Sequence, residues 1–123
     1  MKIFKTDTKH KTILFIVLAP DEVDRNGDLI TKDEIIKTAH EFGKCMCEKY
    51  LNIDHNNNMK IDKQKYDFVE SFVVPFDMEI NNETIKEWTW FVWIKFKDEK
   101  LFQAVQNWEF VWVSMEGYMV VEE

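Results

Sequence analysis

The longest unbroken apolar run in the chain, Ile13 to Ala19, is partly β-branched and predicts a strand over Lys11–Ala19, covered on both faces and ended by Pro20. The polar stretch Asp21–Asp28 follows, and its Asn26-Gly27 pair is a turn signal because these residues accept positive φ at low cost. Thr31-Lys32-Asp33-Glu34 then matches a capping box, so a helix is predicted to start there. Ile35, Ala39, Phe42, Met46 and Tyr50 recur at spacings of three and four, the apolar stripe of one long amphipathic helix. Past the helix, Leu51, Ile53 and His55 share one side of a short extended segment, which brings His55 off an apolar edge. Asp54–Lys65 is the most polar stretch of the chain and reads as a loop.

From Tyr66 to Val74 both faces of a strand are mostly apolar, with Phe68, Glu70, Phe72 and Val74 alternating against Val69, Ser71 and Val73; Pro75 closes or bends it. Asn81-Asn82 marks a hairpin-like turn, and Trp88–Phe96 is a strand with Trp88, Trp90, Val92, Ile94 and Phe96 on one face. Asp98 caps a short helix through Asn107, with Leu101, Phe102 and Val105 turned inward. Phe110–Val113 and Tyr118–Val121 are the last extended pieces, separated by Ser114-Met115-Glu116-Gly117. These elements predict an α+β domain built on a mainly antiparallel sheet or small β-barrel, with one long and one short helix.

With 123 residues, 46% of them hydrophobic and 15% aromatic, the chain is expected to form one domain over 1–123 with an ample core. A net charge of −7 disfavours a phosphate-neutralising surface, so no nucleic-acid partner is expected. No apolar run approaches the roughly 20 residues of a spanning helix, and Met1–Asp7 holds no signal-peptide core, so no membrane partner is expected and the chain is read as cytosolic where it is made. Cys45 and Cys47, two apart in the predicted helix, point in different directions and read as reduced.

No cofactor or metal is expected. Asp24-x-Asn26-x-Asp28 resembles the start of a calcium loop, but its glycine falls at the fourth position and Ile35 stands where a bidentate Glu belongs. His40, Cys45 and Cys47 lack the further pair that completes four zinc ligands. Trp88 and Trp90 read as core, while Trp93 and Trp112 remain candidates for an exposed apolar patch. Nucleophilic catalysis is left. A serine hydroxyl attacks only when a base accepts its proton, and a histidine base works best when a third group holds its tautomer. His55, Glu70 and Ser114 offer those three groups, although taken singly each is better explained as a satisfied polar residue.

A resemblance changes that weighting. Val17-Leu18-Ala19-Pro20-Asp21-Glu22-Val23-Asp24-Arg25-Asn26-Gly27-Asp28, the Thr31–Phe42 helix with its Ala39-His40, Asn52-Ile53-Asp54-His55-Asn56, Val69-Glu70-Ser71-Phe72, Pro75-Phe76-Asp77-Met78-Glu79 and Val113-Ser114-Met115-Glu116-Gly117-Tyr118 follow one another in an order similar to that of the XkdF-type phage serine proteases. The resemblance implies a prohead maturation protease with a fold similar to herpesvirus assemblin, acting in the host cytoplasm inside the assembling procapsid. It implies Ser114 as nucleophile, His55 as general base and Glu70 as third member, with phage scaffold and major capsid protein as substrates and a homodimer as the associated state. Two features depart from the pattern: Val111-Trp112 stand where slimmer residues are expected, narrowing the approach to Ser114, and the sequence ends six residues after Gly117, so any further self-processed or scaffold-like region is expected outside it. The rival expectation is a catalytically silent assembly module of the same fold that binds capsid or scaffold through a Trp-rich surface.

Overall fold

A computed structural model describes residues 1–23, 27–52, 61–107 and 114–116. Its centre is a four-stranded antiparallel sheet in the order β1-β2-β7-β4, formed by β1 (Lys2–Asp7), β2 (Thr12–Leu18), β4 (Tyr66–Val73) and β7 (Trp90–Phe96). Two-stranded ribbons add β3 (Tyr50–Asn52) with β8 (Ser114–Glu116), and β5 (Met78–Ile80) with β6 (Glu83–Ile85). The predicted α+β class holds; among the described residues the sheet stays open and no barrel closes.

Strand β2 is covered on both faces, as its unbroken apolar run requires. Ile13 and Phe15 join Trp90, Val92, Ile94 and Phe96 of β7 in the main core, whereas Leu14 joins Phe91, Val74 and Ile85 in a second cluster on the other face. Helix α1 (Lys32–Lys44) closes the main core with Ile35, Ala39 and Phe42; the ring of Phe42 meets Phe68 and Trp90 edge-on at 5.2 and 5.5 Å. Its predicted capping box is present: Thr31 Oγ1 accepts from the Glu34 amide at 3.2 Å and Glu34 Oε1 accepts from the Thr31 amide at 3.0 Å. Helix α2 (Glu99–Gln106) starts on Asp98, whose carboxylate accepts from the Leu101 amide, and buries Leu101, Phe102 and Val105 against the same core. The β5–β6 hairpin packs Met78, Ile80 and Ile85 on the second cluster, turning at Asn81 (φ 52°) and Asn82 (φ 65°) as their type predicts.

Three expectations need correction, and one strand went unread. The apolar stripe of α1 overshoots: the helix ends at Lys44, Met46 begins a single 3-10 turn and Tyr50 enters β3. Trp88 is not on the β7 face; it precedes the strand with φ at 79°, half-buried, the Lys32 ammonium 5.9 Å from its ring centre. Segment 114–116 is a strand rather than a break between strands. Strand β1 escaped the sequence reading because Lys2, Lys5 and Asp7 interrupt its apolar positions; charged residues are the usual means of blunting a sheet edge, which is where β1 lies. Of the expected Asn26-Gly27 turn, Gly27 is described and has the positive φ (83°) that such a turn uses, while Asn26 and the extended pieces 110–113 and 118–121 lie outside the described residues.

Candidate functional site

The candidate nucleophile is positioned by the β3–β8 ribbon. Strand β3 is anchored at Leu51, whose side chain is 0% exposed in the main core. The Leu51 amide donates to the Tyr66 hydroxyl at 2.7 Å, and its carbonyl accepts from the Ile61 amide at 3.0 Å. Both backbone groups of Leu51 are thus engaged away from β8, and strand alternation turns those of Tyr50 and Asn52 toward it. The register follows: Tyr50 opposes Glu116, Leu51 opposes Met115, and Asn52 opposes Ser114. Tyr66, the first residue of β4, holds the ribbon to the sheet. Burial pushes its phenol pKa up, opposed in part by the Leu51 amide that its oxygen accepts.

Of the three groups nominated from sequence, Ser114 is placed by its backbone, opposite Asn52. His55 lies outside the described residues, as do Val111 and Trp112. Glu70 is described, and its surroundings differ from the expected desolvated slot among Phe68 and Phe72: it is exposed. The cause is a bulge. Between Phe68 and Glu70 the β4–β7 register shifts, leaving Val69 without an opposing residue, so the side-chain alternation changes phase there. Phe68, opposite Ile94, faces the helices with Ser71 and Val73, whereas Glu70, opposite Trp93, faces the other side with Phe72, which stacks on Phe91 at 5.4 Å. Leu51 packs into the helix-side core, so the sheet separates the Glu70 face from the face on which the ribbon sits.

The remaining candidates have plain surroundings. The His10 Nδ1 lies 2.8 Å from the Asp7 carboxylate on an exposed turn, and His40 is exposed on α1. Among the described residues no three His, Cys, Asp or Glu side chains cluster closely enough to hold a metal ion. Trp90 is buried in the core, and its indole N–H donates to Ser71 Oγ at 2.9 Å; Trp88 and Trp93 are half-buried. The described tryptophans therefore do not form the broad exposed platform that a Trp-rich binding surface needs.

Sequence reasoning missed a groove of about 760 Å³ between α1 and β4, bordered by Ala39, His40, Gly43, Ser71, Val73 and Trp88. A smaller hollow adjoins it, sharing Gly43, Ser71 and Phe72 and reaching Met46. The available signal was Gly43, a helix-weakening residue beside the apolar stripe.

An open antiparallel sheet carrying both helices on one face, with Ser114 in a short ribbon strand opposite Asn52, defines a small α+β domain. Its family is given by comparison: the sequence model of the family described as "Putative phage serine protease XkdF" matches residues 1–123, and the chain belongs to that family. It is 36% identical over 120 residues to "Uncharacterized protein YqbD" of Bacillus subtilis (strain 168), covering 92% of this chain and 33% of that protein. It is 32% identical over 91 residues to "Phage-like element PBSX protein XkdF" of the same organism, covering 74% of this chain and 31% of the relative. The chain thus spans about a third of the length of these two relatives. No solved structure matches. Among the described residues no helix is long and apolar enough to cross a membrane.

Proposed function

We propose that the chain is a serine endopeptidase domain of phage assembly, cleaving scaffold and major capsid protein inside the procapsid, with Ser114 as nucleophile and His55 as general base. Family membership supports the reaction class. The observation that carries the residue assignment is the pairing of Ser114 with Asn52, three residues before His55. Antiparallel partners stand about 5 Å apart, and three peptide units reach no further than about 11 Å, which supports assigning to one site two groups 59 positions apart in sequence. The kinship to assemblin-like proteases belongs to the same reading.

In this mechanism His55 accepts the proton of the Ser114 hydroxyl as its oxygen bonds to the peptide carbonyl carbon. The imidazolium returns that proton to the departing amine, leaving an ester on Ser114. Water, deprotonated by the same imidazole, then attacks the ester; the carboxylic acid leaves and the serine regains its proton. Backbone amides near the serine are the oxyanion donors in this reading. Glu70 enters it as a carboxylate screened by water, since it is exposed.

The test is cleavage of purified scaffold and capsid protein from the cognate phage. Ser114→Ala is expected to lower the rate at least about a thousandfold with unchanged circular dichroism. Unchanged cleavage would remove Ser114 from its role. A wild-type chain that binds scaffold without cutting it would favour the silent assembly module.

A further inference from the structure

Strand β4 is an edge of the central sheet: among the described residues it pairs with β7 on one side and with no strand on the other. Its two halves differ. The first carries Asp67, the Val69 bulge and Glu70, which are the features that blunt an edge against strand addition. The second, Ser71–Val73, carries no charge and no bulge. Just beyond it, the Val74 amide donates to Thr89 and its carbonyl accepts from Trp88, both at 2.9 Å, so Val74 directs its backbone groups inward. Alternation then directs those of Val73 and Ser71 outward, to the free edge.

The groove between α1 and β4 lies along this open half. Ala39 and Gly43, four apart on α1, border it with little or no side chain, and a Cβ built on Gly43 meets nothing within 4 Å. Val69 and Phe72 flank the edge with 43% and 40% of their surface exposed, and Phe76 lies beyond it at 61%. The adjoining hollow carries the groove on to Met46, the start of the turn that leads into β3, the strand opposite Ser114.

We propose that this groove seats the substrate: an extended polypeptide segment with apolar side chains adds to the free edge of β4 through Ser71 and Val73 and runs toward the β3–β8 ribbon. The inference rests on the peptidase reading for the identity of the occupant. Edge addition supplies main-chain hydrogen bonds independent of sequence, and the apolar walls select alternate side chains. The open stretch from Ser71 to Val73, about 7 Å, pairs with about three residues of that segment.

The test uses fluorescein-labelled β-casein, an unfolded polypeptide, as the probe, with anisotropy read on the Ser114→Ala chain. Saturable binding is expected. Gly43→Trp in the same background fills the groove and is expected to weaken binding at least tenfold. It should not lower the melting temperature, because it replaces glycine by a better helix former. Should tryptophan nonetheless lower it, Gly43→Gln carries the same test. Absence of casein binding, or equal binding by the filled variant, overturns the proposal, as does a filled variant that only disrupts a dimer in sedimentation. Failure of the catalytic reading looks different: casein binds and Gly43→Trp abolishes binding, yet the wild-type chain cuts no peptide bond. Conversely, wild-type cleavage that Gly43→Trp matches at the same KM leaves the peptidase standing and removes the groove.

Discussion

The central sheet with its helices and the β3–β8 ribbon are held in different ways. The sheet has apolar clusters on both faces, and its middle strands are hydrogen-bonded on both sides along their length. In the ribbon the described residues give three residue pairs, the fully buried side chain of Leu51, Tyr50 packed against the main core, and two hydrogen bonds at the Leu51 backbone, whose amide donates to the Tyr66 hydroxyl and whose carbonyl accepts from the Ile61 amide. Among the described residues the apolar packing is thus concentrated in the sheet, and the strand opposite the candidate nucleophile is tied to it through Leu51 and Tyr50. Segments with less apolar packing than the core open locally at lower free energy, which makes them adjustable by a partner or substrate.

Substitutions that separate the two regions sharpen this contrast. Phe42→Ala empties a fully buried site between Phe68 and Trp90 and should cost about 3–5 kcal/mol in urea unfolding, lowering stability and cleavage together. Tyr66→Phe removes the acceptor of the Leu51 amide at a buried position and should cost about 1–3 kcal/mol. Because that bond ties the ribbon to the sheet, cleavage should fall further than at another site of equal stability loss; equal losses would show that the tie does not position Ser114. Glu70→Gln should lower kcat by less than about tenfold, since an exposed carboxylate is screened; a much larger loss, with an altered pH profile, would give Glu70 a buried role in the substrate complex. The smallest effect is on pH. The raised Tyr66 pKa favours the protonated phenol in the folded state, so its contribution is full below about pH 10 and is lost as pH rises through the folded-state value. Tyr66→Phe should flatten that alkaline loss in a pH series of melting temperatures.

Much of the sheet and both helices could be read from sequence because local rules and burial agree there. The capping box at Thr31 and Glu34, the Asn81-Asn82 turn, the Asp98 cap and the apolar run of β2 each specify one local structure, and packing reinforces it. The errors fall where pairing decides. Alternation along β4 put Glu70 in line with Phe68, but a bulge, invisible in a pattern of period two, changes the phase at Val69. Ser114–Glu116 lacks a strand-like run of its own and becomes β8 through its partner β3. The groove was hidden because it arises between α1 and an edge strand far apart in sequence. At the candidate site, ordered motif segments nominated Ser114 and His55; the structure sets Ser114 opposite Asn52, and His55 lies outside the described residues.

The central claim is that a serine in β8 is activated by a histidine just past β3. Treating the folded chain with a fluorophosphonate and locating the adduct by peptide mass spectrometry tests it most directly. The account predicts phosphonylation at Ser114, abolished by unfolding in urea and strongly slowed by His55→Ala. Labelling spread over several serines, or a Ser114 adduct that forms equally fast in the His55→Ala chain, would contradict it.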